Sequence, residues 1–209
     1  MSYEYEKNGS KIYDKSFAII RNESDLSNFK NGEEKVVVRM IHASGMINIT
    51  SQIYFSKNMV NIARNALQNG ANILCDTNMV KYGITNSRLP ANNKIICMLG
   101  NEEIINTAEK IKNTRTAAGV ELWKPYLSGA IVAIGNAPTA LFYLLDMLKD
   151  DNCPKPSAII GFPVGFVGAQ ESKEALYKFS SIPFCLIKGR LGGSAMTVAA
   201  INAIAKEKE

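Results

Sequence analysis

Short apolar runs alternate with segments of helical periodicity along most of the chain. Ile73-Leu74-Cys75, Lys94-Ile95-Ile96-Cys97-Met98, Ala130-Ile131-Val132-Ala133-Ile134, Ser157-Ala158-Ile159-Ile160 and Phe184-Cys185-Leu186-Ile187 have the length and composition of buried strands. Between them, Ile104, Ile105, Ala108 and Ile111 predict one face of a helix from Asn101 to Lys112. Leu141, Leu144, Leu145 and Leu148 predict another, with Pro138 at its first position. A charged helix carries Ala175 and Leu176, and a closing helix carries Ala195, Val198, Ala199, Ile201 and Ala205. A short helical turn around Met79-Val80 stops at Gly83, and Thr114 caps a helix that carries Arg115. Upstream, Ser56 reads as the N-cap of a helix with Val60, Ala63, Ala66 and Leu67, stopped by Gly70. Val36, Val37, Met40 and Ile41 recur at helical spacing between Glu33-Glu34 and a terminating Gly45, although Val36-Val37-Val38 alone also suits a strand. Met46 to Phe55 is expected to be an irregular or extended connection. Residues 1–30 are polar, with aromatic spots at Tyr3, Tyr5, Tyr13 and Phe17.

This alternation predicts an α/β fold: one domain over 1–209, a mostly parallel open sheet with helices on both faces, Rossmann-like. A chain of 209 residues is long enough for one sizeable core, and 46% hydrophobic residues is a globular composition. No run of eighteen apolar residues suggests a membrane span, and the start lacks the apolar core of a signal peptide, so a cytoplasmic protein is expected. The formal charge of +5 is a mild excess that favours anionic substrates. It is spread along the chain without a basic block, which argues against nucleic acid as a partner. Cys75, Cys97, Cys153 and Cys185 form no C-x-x-C pair, and one histidine gives a zinc cluster little to work with. Buried small hydrophobes is the better reading of these cysteines, without disulfides.

His42 is the only histidine, and its residue type exchanges a proton near neutrality. On a helix, Arg39 and His42 share a face. The competing reading makes His42 a helix-end residue that interacts with free carbonyls. Ligands of open parallel sheets bind beyond the carboxyl ends of the strands. There the chain has three unusual loops, Gly135-Asn136-Ala137-Pro138-Thr139, Gly161 to Gly168, and Gly189-Arg190-Leu191-Gly192-Gly193, each before a helix. Glycines and helix N-termini make such a rim tolerant of anions. The spacing matches neither G-x-G-x-x-G nor a P-loop, which counts against a nucleotide-dependent enzyme. No G-x-S-x-G is present. Asp76, ending a strand, is suited to catalysis or to capping the following turn.

Seven segments together resemble the precorrin-8X methylmutase family, the precorrin isomerases of the corrin pathway. They are Ser16-Phe17-Ala18-Ile19-Ile20, Val38-Arg39-Met40-Ile41-His42-Ala43, Ile73-Leu74-Cys75-Asp76, Asn113-Thr114-Arg115, Ala133-Ile134-Gly135-Asn136-Ala137-Pro138-Thr139-Ala140-Leu141, the run from Gly161 to Ala169, and the run from Gly189 to Thr197. The likeness covers almost the whole chain in order. It implies a methyl shift from C-11 to C-12 of a corrinoid tetrapyrrole, giving hydrogenobyrinic acid, or cobyrinic acid when cobalt is in the ring. It implies no redox cofactor or methyl donor, and a homodimer with a large cleft. By this likeness His42 is the proton donor and acceptor, and Ser16 and Arg39 fall on substrate-contact positions. Arg115, Asn136 and Thr139 are further candidates for substrate binding. Structural alternatives stand beside each: an ion pair to Glu34 for Arg39, a turn or cap for Ser16, an ion pair for Arg115, and turn-holding for Asn136 and Thr139. A non-catalytic corrinoid carrier on the same fold is the second function class.

Overall fold

The apolar runs become strands β1 (Ile53–Phe55), β2 (Ile73–Cys75), β3 (Ile95–Ile96), β4 (Ile131–Ile134), β5 (Ala158–Gly161) and β6 (Phe184–Ile187). In this computed structural model, which describes residues 2–30, 32–179 and 181–206, they form one sheet in the order β1-β6-β5-β4-β2-β3. Only the β1–β6 pairing is antiparallel, with Ile53 opposite Ile187 and Phe55 opposite Cys185. Side chains alternate across the sheet as period-two geometry requires. Ile73, Cys75, Ile131, Ala133, Ile160 and Cys185 enter one core, while Leu74, Val132, Ile134, Ile159 and Leu186 enter the other. The expected mostly parallel sheet, covered on both faces, is what the chain forms.

The first core is closed by α1 (Gly9–Glu23), α2 (Glu33–Ser44), α3 (Met59–Gln68), α4 (Asn78–Gly83) and α9 (Ser194–Ala205). The second is closed by α6 (Arg115–Glu121), α7 (Pro138–Met147) and α8 (Ala169–Lys178), with α5 (Ile104–Lys110) packed on α6. Helix α2 buries Val36, Val37, Val38, Met40 and Ile41, and α9 buries Met196, Ala200, Ile201, Ala203 and Ile204. The two helices pack on each other, so the valine run is a buried helix and not a strand. Gly45 ends α2 in the left-handed conformation, its N–H donating to Ile41 O.

Two local expectations are corrected, for Ser56 and for the Asn101–Lys112 helix, and two segments gain detail. The polar first segment holds a full helix, α1, capped by Asn8, whose side chain accepts from Lys11 N–H; Phe17 and Ile20 are its buried positions. The irregular or extended connection expected over Met46–Phe55 is a 3-10 segment, Ile47–Gln52, followed by the extended edge strand β1. Ser56 does not cap α3. Asn58 holds that place, and the Ser56 hydroxyl instead accepts from Phe184 N–H at 2.8 Å, tying β1 to β6. Helix α5 is shorter than predicted; it buries Ile104 but leaves Ile105 exposed, because Asn101 closes a turn on Glu103 N–H before the helix begins.

The parallel strands reverse direction of addition between β2 and β4, the switch point at which open α/β sheets usually bind ligands. Here the chain fills that point itself. Asp76, 2% exposed, follows β2. Its Oδ1 accepts from Gly135 N–H at 3.0 Å, and its Oδ2 accepts from Asn136 N–H at 2.9 Å and Ala137 N–H at 2.8 Å. It therefore does not cap the following turn; Thr77 does, accepting from Val80 N–H. Burial pushes the Asp76 carboxyl up, and the three N–H donors pull it back. A nucleotide phosphate would need these same backbone donors at the start of α7, so the internal carboxylate gives a physical reason against the nucleotide reading. Gly135 is required here: a Cβ would lie 2.7 Å from Thr197 Oγ1 and 2.8 Å from Val80 Cγ2.

Replacing Asp76 by Ala leaves three backbone N–H groups, two of them buried, without acceptors. Urea denaturation of Asp76→Ala is expected to show a loss of about 3 kcal/mol or more. A loss below about 1 kcal/mol would mean that water or a relaxed loop satisfies these groups.

Candidate active site

His42 lies in the last turn of α2, exposed, with its ring against two aromatics of α1. The centroid of Tyr13 is 5.4 Å away and that of Phe17 is 5.3 Å away, the latter edge-on. Tyr13 and Phe17 are four apart on α1, so they meet the same neighbour. These contacts fix the imidazole plane without using its nitrogens. Among the described residues, neither nitrogen has a hydrogen-bond partner, and no carbonyl at the helix end engages them. Gly45 N–H and the Ser44 hydroxyl serve Ile41 O instead.

Arg39 stands one turn earlier and is half-buried. Its guanidinium carbon sits 5.4 Å over the Phe17 ring, and its Nε is buried without a partner. It forms no ion pair among the described residues, with Glu34 or any other acid. Arg39 lines a cavity of about 680 Å³ with Ser10, Tyr13, Asp14, Arg88, Asn202 and Lys206 among others. Burial lowers the Arg88 pKa, and the positive charge of Arg39 lowers it further. Two guanidiniums in one recess, opposed by a single carboxylate in its wall, suit an anionic ligand group. Arg88 itself is anchored, its Nε donating to Asn202 O at 2.9 Å. Asn202 Oδ1 in turn accepts from Thr85 N–H at 3.0 Å. Ser16 lies within α1, beside Phe17, so it is neither a turn nor a cap residue.

The other expected residues gather on the loop rim. Thr139 Oγ1 is 2.8 Å from Thr114 Oγ1 and 3.1 Å from Thr116 Oγ1, a cluster that joins α7 to α6. Arg115 Nη2 donates to Leu99 O at 3.2 Å, and its exposed side chain has no ion pair among the described residues. Asn136 is exposed; its backbone N–H goes to Asp76, while its side chain is unengaged among the described residues. The remaining loops close on one another. Gly165 N–H donates to Arg190 O at 3.1 Å, and Gly193 N–H donates to Phe162 O at 2.9 Å.

The expected residues thus form two groups at opposite ends of α9. The Arg39 recess meets Asn202 and Lys206 at the helix C-terminus, whereas Gly135 lies against Ser194 and Thr197 at its start. A helix of 12 residues spans about 18 Å. Sequence reasoning did not single out Tyr13 for the site, although its four-residue spacing to Phe17 was a usable signal. Nothing in the sequence marked Arg88 or Asn202, whose partners lie more than a hundred residues away in the chain.

The family model described as precorrin-8X methylmutase matches residues 11–207. The precorrin-8X methylmutase of a Sinorhizobium species is 54% identical over 98% of this chain and 97% of its own. That of Pseudomonas aeruginosa is 50% identical over 99% of each chain. A cobalt-precorrin-8 methylmutase from Leptospira interrogans is 34% identical over 94% of this chain and 92% of its own. The solved structure of precorrin-8x methyl mutase from Thermus thermophilus superposes with a TM-score of 0.86 at 36% identity, covering 94% of this chain and 95% of that one. The chain belongs to the precorrin-8X methylmutase family, isomerases of cobalamin biosynthesis.

Proposed function

We propose that this protein moves a methyl group from C-11 to C-12 of precorrin-8X, giving hydrogenobyrinic acid, with His42 exchanging a proton with the substrate. The observation that carries the reading is an exposed imidazole held by two aromatic rings, one turn from a guanidinium, neither group paired with an acid or hydrogen-bonded among the described residues. A methyl migration within one conjugated ring needs no nucleophile and no electron donor. It gains from a proton on a ring nitrogen, which polarises the conjugated system. Such acid–base help is worth about 10²–10⁴ in rate. Tyr13, Ile12 and Ile19 are exposed apolar groups of α1 that suit the flat face of a macrocycle. Arg39 suits one of its carboxylates by a bidentate bond. Ser16, Arg115, Asn136 and Thr139 remain candidates for further polar contacts.

The cobalt-free substrate is favoured by identity: relatives named for precorrin-8X match at 54% and 50%, and those named for cobalt-precorrin-8 at 34%. A homodimer is supported by large exposed hydrophobics such as Phe166 at 82% and Val167 at 89%. No helix among the described residues is long and apolar enough to cross a membrane.

His42→Ala is expected to fold normally and to convert precorrin-8X at least about a hundredfold more slowly. Near-normal turnover would remove His42 from the mechanism. Arg39→Ala is expected to raise KM and weaken product binding, with Tm unchanged; a large fall in Tm with unaltered affinity would make the arginine structural. The wild-type kcat/KM is expected to be higher for precorrin-8X than for its cobalt form. The reverse order would reassign the substrate.

A further inference from the structure

The charged residues of α8 are indistinguishable in sequence, but the fold separates them. Glu171 and Glu174 face solvent, whereas Lys173 is 1% exposed. Its ammonium donates to Leu191 O at 2.6 Å. Among the described residues no carboxylate pairs with it. Burial lowers its pKa to about 8. A buried cation without a counter-charge is costly, and an apolar side chain of the same length would fill the space without that cost. What the lysine adds is its bond to Leu191.

Leu191 is the centre of the loop between β6 and α9. That loop is bonded to the β5–α8 loop through Gly165 N–H to Arg190 O and Gly193 N–H to Phe162 O. At Gly192 the approach is so close that a Cβ would strike the carbonyl oxygens of Phe162 and Pro163. The β5–α8 loop is bonded onward, Val164 N–H donating to Asn136 O at 3.4 Å in the β4–α7 loop. Asp76 holds that third loop. One chain of backbone bonds therefore joins all three loops, with a buried cation at one end and a buried anion at the other. Among the described residues each end group is bonded to main chain only.

We propose that Lys173 is a positioning residue. Through Leu191 it sets the β6–α9 loop against the β5–α8 loop, so that the rim presents the Asn136 side chain to the substrate carboxylates in one fixed arrangement. This rests on the methylmutase reading above. Lys173 itself does not touch the substrate; its effect is on binding and not on the migrating bond.

Lys173→Met keeps the side-chain stem and removes the donor. Its Kd for hydrogenobyrinic acid and its KM for precorrin-8X are expected to rise about tenfold, while kcat falls less than about threefold. Hydrogen exchange at the Gly165 and Gly193 amides is expected to speed up about tenfold, with the β4 and β5 amides unchanged. Lys173→Gln keeps an N–H donor and should fall between. Unchanged Kd and exchange would overturn the proposal, as would acceleration spread evenly over the sheet, the mark of general destabilisation. Should both variants fail to fold, the wild type decides: saturating hydrogenobyrinic acid must slow exchange at Gly165 and Gly193, and identical exchange with and without it refutes the role. Absence of wild-type turnover would count against the methylmutase reading alone. An unaltered Lys173→Met KM on an active wild-type background would count against the clamp alone.

Discussion

The Asp76 carboxylate, bonded to three successive backbone N–H groups, fixes the centre of the molecule. It joins the end of β2 to the start of α7 across the point where the sheet changes direction. Related folds commonly leave that crevice open for a ligand. Filling it from within has two consequences. The β4–α7 loop gains a defined shape, against which the start of α9 packs at Gly135. On the proposed function the substrate is met elsewhere, on the outer rim of the loops and on the α1–α2 face beyond α9.

Helix α9 links these two places. It packs on α2, which carries Arg39 and His42, and its first turn abuts the β4–α7 loop. Helix α2 turns an apolar face to α9, which is apolar over most of its surface, so their mutual burial fixes where Arg39 and His42 sit. The aromatic pair Tyr13 and Phe17 adds orientation without consuming hydrogen bonds. The arrangement is suited to proton exchange with a large anionic ring, and lacks the linked nucleophile and base of acyl-transfer enzymes.

Local periodicity made most of the sheet and its helices legible in the sequence, because each strand is a short apolar run between helical repeats. Helix α1 escaped notice since only Phe17 and Ile20 of its 15 residues are buried, too few to stand out among polar neighbours. Edge strand β1 is three residues long and gains its identity from β6, far along the chain. The shared helix face of Arg39 and His42 was readable because their spacing is three residues. The role of Asp76 was not, although the residue stood out at a strand end, as its donors lie about sixty residues away. Lys173 was less readable still: nothing in Glu171-Ser172-Lys173-Glu174 separates a buried ammonium from a solvated one. Partners distant in sequence, and burial that packing alone determines, leave no local mark.

The most direct test is the visible spectrum of precorrin-8X over time with wild-type protein well below the substrate concentration. The account predicts complete conversion to the product chromophore over many turnovers. A spectral change that stops at one equivalent of protein would contradict it, and would mean that the fold holds a corrinoid without rearranging it.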